Sequence, residues 1–134
     1  MVGIGASAIS SLPHGFSQNA ADPARYMAKM EEAAFATERG IATTPDDRLR
    51  ADIIEALMCN HRVELADLCR SHGVDAEAFM AGIGGFARLE QDGLVSRDGP
   101  TLTVTETGRP LVRFVCAAFD RHYAAAANRH ARGI

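Results

Sequence analysis

"TTPDDRLRADIIEALMCN" (Thr43 to Asn60) carries the signal that organises this chain. Thr44 offers a capping hydroxyl, Pro45 suits the first helical position, and Asp47 puts a carboxylate at the third. Leu49, Ile53 and Leu57, with Ile54 and Met58 beside them, then recur at the helical period. The spacing predicts an amphipathic helix that runs down to about Asn60.

Downstream, "ELADLCRSHG" (Glu64 to Gly73) predicts a short helix with Leu65, Leu68 and Cys69 on one face and Gly73 as its stop. "AEAFMAGIGGFARLEQ" (Ala76 to Gln91) reads as one helix capped by Asp75, with Phe79, Ile83 and Phe86 turned inward. "GLVSRDGPTLTVTETG" (Gly93 to Gly108) predicts two strands, Leu94–Ser96 and Thr101–Val104, around an Asp98-Gly99 turn. A long closing helix follows, with Leu111, Val115, Ala118, Phe119 and His122 on one face. Pro110 must lie in its first turn, which points to Thr107 rather than Thr105 as the cap. The order of these elements is mainly α and describes a winged-helix-like domain with a two-stranded wing.

Upstream, "SSLPHGFSQNAADP" (Ser10 to Pro23) has the composition of a loop. Asp22-Pro23 starts a helix through Tyr26, Met30, Ala33 and Ala34, which Gly40 ends. A shift of composition near Thr43 divides the chain into a lead-in, residues 1–43, and a compact domain, residues 44–134.

"GIGASAIS" (Gly3 to Ser10) fits the glycine pattern of a dinucleotide-binding turn. Only Met1 and Val2 precede it, and no acidic residue follows at the right distance, so a Rossmann loop is not expected. Gly82-Ile83-Gly84-Gly85-Phe86-Ala87 repeats the pattern within the predicted helix, where close helix packing is the simpler reason for small residues.

Charge weighs against nucleic acid as a partner. The formal net charge is −3, and the helix that would enter a major groove carries Asp75, Glu77, Glu90 and Asp92 against Arg88. Cys59, Cys69 and Cys116 are too few and too scattered for a disulfide framework, and with five histidines they make no paired metal-ligand spacing. Reduced thiols in a cytoplasmic protein are expected. No apolar run is long enough to cross a bilayer, and no signal peptide is evident.

Several stretches in order resemble one family. "GIGASAIS", "FSQN" (Phe16 to Asn19), "RGIATTPDDRLRADIIEALMCN" (Arg39 to Asn60), "DGLV" (Asp92 to Val95) and "TETGRPLVRFVCAAFDRHY" (Thr105 to Tyr123) are similar to the C-terminal part of oxygen-independent coproporphyrinogen III oxidases. Those are radical S-adenosylmethionine enzymes of haem biosynthesis. The chain departs from the family pattern at Phe16, Thr43 and Phe114.

The resemblance implies that "GIGASAIS" is the last strand of a partial β/α barrel whose open end holds S-adenosylmethionine. Gly5, Ser7 and Ile9 would then face the cofactor. The cluster motif C-x-x-x-C-x-x-C does not occur here, so a 4Fe–4S cluster would belong to a missing N-terminal radical barrel, and this chain alone would be an inactive fragment. The winged-helix domain would act as a lid over coproporphyrinogen III. Arg48, Arg50, Arg109 and Arg113 are candidates to grip its carboxylates. Asp46 with Arg50 and Arg48 with Asp52 also stand at the spacing of ordinary helix-surface ion pairs, the favoured reading for Arg48 and Arg50. For Gln18 and Asn19, loop structure and a site contact stand level. The alternative to the enzyme reading is a free-standing winged-helix binding or regulatory protein.

Overall fold

The computed structural model describes residues 1–123, which form two compact units divided after Thr44. The first holds a three-stranded antiparallel meander, β1 (Ile9–Leu12), β2 (Gly15–Asn19) and β3 (Thr37–Ala42), with α1 (Pro23–Glu31) between β2 and β3. Leu12 pairs with Gly15, so Pro13 and His14 alone make the hairpin turn. Gly15 is required there, because a Cβ would run into the Ile41 carbonyl oxygen on β3.

Two expectations are corrected here. Ser10 to Asn19 is a hairpin rather than a loop, because backbone pairing on both sides of β2 outweighs a composition rich in Ser, Gln and Asn. Gly40 lies within β3 and does not end the helix. The Asp22 carboxylate accepts from the Ala24 N–H at 2.8 Å to start α1, but the helix stops at Glu31. All six side chains of β3 are exposed, so its sequence shows no alternation by which to recognise it.

The second unit begins with α2 (Pro45–Asn60), which buries Leu49, Ile53 and Leu57 completely. Each such side chain contributes about 1.5–3 kcal/mol when taken out of water. A three-residue strand, β4 (Arg62–Glu64), precedes α3 (Leu65–Ser71). It pairs with β6 (Thr101–Val104), which also pairs with β5 (Val95–Asp98), giving a sheet in the order β4-β6-β5. Strand β4 was not expected: only Val63 points inward, and three residues carry no readable period. The hairpin link is Gly99-Pro100, one residue later than Asp98-Gly99, since Asp98 pairs with Thr101.

The predicted single helix over 76–91 is two: α4 (Ala76–Ala81) and α5 (Phe86–Gln91). Gly85 sits at φ +77°, a left-handed conformation that breaks the helix and that side-chain-bearing residues avoid. The glycines therefore serve the break rather than helix packing. Phe79, Ile83 and Phe86 are all buried, and Phe86 meets Phe119 edge-on with ring centroids 6.3 Å apart.

Thr107 does not cap the closing helix, whose N-terminal positions, Gly108 for the 3-10 turn and Leu111 for α6, carry no side-chain cap; Thr105 instead closes the turn ahead of them. Its hydroxyl donates to the Gly93 carbonyl at 2.6 Å and accepts from the Gly108 N–H at 3.1 Å. Pro110 falls in a short 3-10 turn (Arg109–Leu111) ahead of α6 (Val112–Ala117), so the closing helix is short in the described residues. Any continuation past Tyr123 lies outside them. Val115 and Phe119 are buried and Ala118 packs against the core, whereas Leu111 and His122 are exposed. The chain is a mixture of helices and small sheets, richer in strand than its periodicity suggests.

Candidate functional site

The glycine turn is built by side chains from the rest of its unit. Asn19, at the end of β2, donates from Nδ2 to the carbonyls of Gly5 at 3.1 Å and Gly3 at 3.4 Å. Gln18 Nε2 donates to the Ser7 carbonyl at 3.2 Å. The structure thus uses both residues as loop supports. Tyr26, which the sequence marked only as part of a helical stripe, accepts from the Gly5 N–H through its hydroxyl at 3.2 Å. A Cβ on Gly3 would lie 2.6 Å from the Ile9 carbonyl oxygen, so the strand can fold back there only on glycine.

Four amides of this turn, counting the Gly5 N–H on Tyr26, are already taken. Gly3 N–H donates to Ser10 Oγ at 3.0 Å, Ser7 N–H to the Ala20 carbonyl at 2.8 Å, and Ala8 N–H to the Gly5 carbonyl at 3.3 Å. A phosphate cradle needs converging free N–H groups. Here the groups offered outward are different: the Ile9 side chain, 53% exposed, and the exposed Ser7. Ser7 itself is held at φ +61°, a conformation uncommon for a residue with a side chain. Such a surface suits an uncharged, partly apolar ligand face.

The four candidate arginines divide. Arg50 is committed within its own unit: Nε donates to Asp46 Oδ2 at 2.8 Å, Nη1 donates to the Phe119 carbonyl at 3.1 Å, and the guanidinium lies 5.2 Å from the centre of the Phe79 ring. Arg48 makes no pair with Asp52, whose carboxylate instead meets His72 Nε2 at 2.7 Å. The expected i,i+4 pair is replaced because the end of α3 brings His72 closer. Arg109 pairs with Glu106 at 3.0 Å on the surface, and Arg113 is exposed. Nothing within either unit gathers these arginines into one carboxylate-binding cluster.

Cys69 and Cys116 are buried and Cys59 is exposed, and all three thiols are free. Burial pushes the thiols of Cys69 and Cys116 up, so they stay protonated packing groups. No group of three His, Cys, Asp or Glu among the described residues is placed to hold a metal ion. Arg97 on β5 pairs with Glu77, and Arg88 on α5 with Asp92 at 2.9 Å. No helix among the described residues is long and apolar enough to cross a membrane.

Comparison with known proteins fits this arrangement. Residues 43–111 match the family described as HemN C-terminal domain. Over all 134 residues the chain is 41% identical to the oxygen-independent coproporphyrinogen III oxidase of Bradyrhizobium diazoefficiens, covering 30% of that protein. It is 38% identical to the same-named enzyme of Paracoccus denitrificans, covering 29%. A solved structure of Escherichia coli coproporphyrinogen III oxidase (HemN), described as a radical SAM enzyme, superposes with a TM-score of 0.82 at 35% identity, covering 90% of this chain and 28% of that one. The chain thus spans about 30% of the length of the curated relatives it matches. With its family profile matched from the start of α2 through the 3-10 turn, and these oxidases aligned along its whole length, this chain belongs to the HemN C-terminal domain family.

Proposed function

We propose that this chain is the C-terminal portion of an oxygen-independent coproporphyrinogen III oxidase. The reaction converts two propionate arms of coproporphyrinogen III to vinyl groups, each arm losing one hydrogen atom, one electron and carbon dioxide. The observation that carries the reading is the fold match at a TM-score of 0.82 over 90% of the chain, to an enzyme of that name. S-adenosylmethionine and a 4Fe–4S cluster would supply the hydrogen-abstracting radical. The thiols here do not suit the cluster, since two are buried and none is near another ligand set, so its ligands belong to the N-terminal radical barrel.

S-adenosylmethionine suits the glycine turn better. It is a nucleoside without phosphate, and the turn offers the Ile9 side chain and Ser7 while the Gly3, Gly5, Ser7 and Ala8 amides are engaged. Gly5, Ser7 and Ile9 are the residues assigned to it. Gly3–Ser10 would be the segment that ends the barrel, although within it only Ile9 and Ser10 lie in a strand, β1, which pairs with β2. From Pro45 on, the helices and the β5–β6 hairpin form a winged helix that acts as a lid, keeping water and stray hydrogen donors from a carbon radical. Its acidic α4 and the paired Arg97 and Arg88 favour this over nucleic-acid binding.

A chimaera tests the proposal. This chain replaces the matching C-terminal 134 residues of the Bradyrhizobium enzyme, and anaerobic haem synthesis is restored or not in a strain lacking the oxidase. Growth together with protoporphyrinogen IX production is the expected result. A folded, cluster-loaded chimaera that forms no product would refute it.

A further inference from the structure

Strand register places six side chains on one face of the first sheet. Ile9 stands opposite Gln18 and Gln18 opposite Arg39, while Ser11 stands opposite Phe16 and Phe16 opposite Ile41. Paired residues project to the same side, so this face is a grid of two rows. Ile9, Phe16 and Ile41 are 53%, 43% and 52% exposed, an apolar floor left open by its own unit. With Arg39 at one corner they line a hollow of about 280 Å³.

Charge sets the two faces of β3 apart. Glu38 faces the other way and is held by Arg25 at 2.6 Å. Arg39 is exposed and has no acidic partner among the described residues. Gln18 beside it is occupied with the Ser7 carbonyl. The hollow therefore combines an apolar floor with one uncompensated guanidinium, which complements a flat apolar ring carrying a carboxylate on a short arm. Diagonal cross-strand neighbours such as Phe16 and Arg39 lie roughly 7–8 Å apart, the reach of a pyrrole ring plus a propionate.

The geometry points to this hollow as a seat for one propionate-bearing pyrrole of the tetrapyrrole substrate, with the ring on Ile9, Phe16 and Ile41 and the carboxylate on Arg39. This rests on the oxidase reading and adds to it a specific subsite. Arg39 lies on β3, apart from Arg48, Arg50, Arg109 and Arg113. Arg39 is a binding residue here, with a guanidinium fork suited to bidentate contact.

The test is a fluorescence titration of the 134-residue chain with coproporphyrin III, the stable oxidised tetracarboxylate, and with its tetramethyl ester, which lacks the charges. Arg39→Ala should weaken coproporphyrin III binding about tenfold while leaving the ester unchanged, and Arg39→Lys should recover only part of the loss. Phe16→Ala should weaken both ligands. Arg70→Ala, an exposed arginine elsewhere that pairs with Asp67, should change neither. All three exposed sites are checked for unchanged melting. The subsite is overturned if coproporphyrin III does not bind, if ester and acid bind alike, or if Arg70→Ala matches Arg39→Ala. Failure there with an active chimaera would sink the subsite and leave the oxidase reading intact. An inactive chimaera with the expected titration would do the reverse.

Discussion

The two units are held together by different physics. From Pro45 onward, a single cluster running from Leu49 to Phe119 is buried almost to zero exposure, and the helices and sheet exist to enclose it. Among residues 1–44 the buried apolar side chains are only Ala20 and Ala36, while Ile4, Ile9, Leu12, Phe16, Phe35 and Ile41 stand open. The first unit is instead tied by strand pairing and by side chains that hold backbone: Asn19 on Gly3 and Gly5, Tyr26 on Gly5, Ser10 on Gly3. A small sheet needs an apolar face packed on something to be stable by itself. Apolar residues kept outward at that cost are placed for a ligand or a partner.

The comparison can be broken at its strongest point first. Phe119→Ala removes a fully buried ring that meets Phe86 edge-on and should cost about 3–5 kcal/mol, read as a fall in the urea midpoint. Phe16→Ala in the first unit should cost a small fraction of that. Equal losses would mean that the first unit has a core of its own.

Next is Arg50→Ala, which at once removes an ion pair to Asp46, a donor to the Phe119 carbonyl and a stack on Phe79. An expected loss of roughly 2 kcal/mol follows from one charge-assisted bond and one cation–π contact. Arg50→Lys should recover little of it. A near-neutral Arg50→Ala would return this residue to the pool of substrate contacts.

Asn19→Ala sharpens the other side. Two carbonyls lose their donor, and about 1 kcal/mol of local stability should go with them. Hydrogen exchange would then accelerate at the Ser7 and Ala8 amides without changing those of α2. Acceleration throughout both units would contradict the separation.

The smallest effect concerns pH. Hydrogen bonds from Arg62, and then from Thr101, hold the Glu64 carboxyl below its ordinary value of 4.5. A lowered folded-state pKa gives stability that is present above about pH 4.5 and fades as pH falls through the folded value. Glu64→Gln should therefore lower Tm slightly at pH 7, with the gap to the unsubstituted chain closing below pH 4. A gap that widens in acid would contradict the assignment.

The helical half was legible where a period was long. Leu49, Ile53 and Leu57 lie on one face over about two turns, and α2 has the bounds that Pro45 and Asn60 mark. Short strands were not legible: β4 buries only Val63, and β3 buries nothing. Side-chain period is a record of burial, so a strand without burial writes none. The glycine turn was visible as a motif, but the engagement of its Gly3, Gly5 and Ser7 amides was not, because the partners Ser10, Tyr26 and Ala20 come from elsewhere in the chain.

By itself the sequence determined the helix starts at Asp22, Pro45 and Asp75, the hydrophobic stripe of α2 and the family, since caps and periods act within a few residues and resemblance needs only order. Tertiary structure decided the rest. It broke the 76–91 helix at Gly85, set the Thr105 hydroxyl on the Gly108 amide, turned Asp52 to His72, and set Arg39 beside Ile9, Phe16 and Ile41. Each of these choices depends on which distant backbone or side chain arrives alongside, and that is fixed only when the strands pair and the core closes.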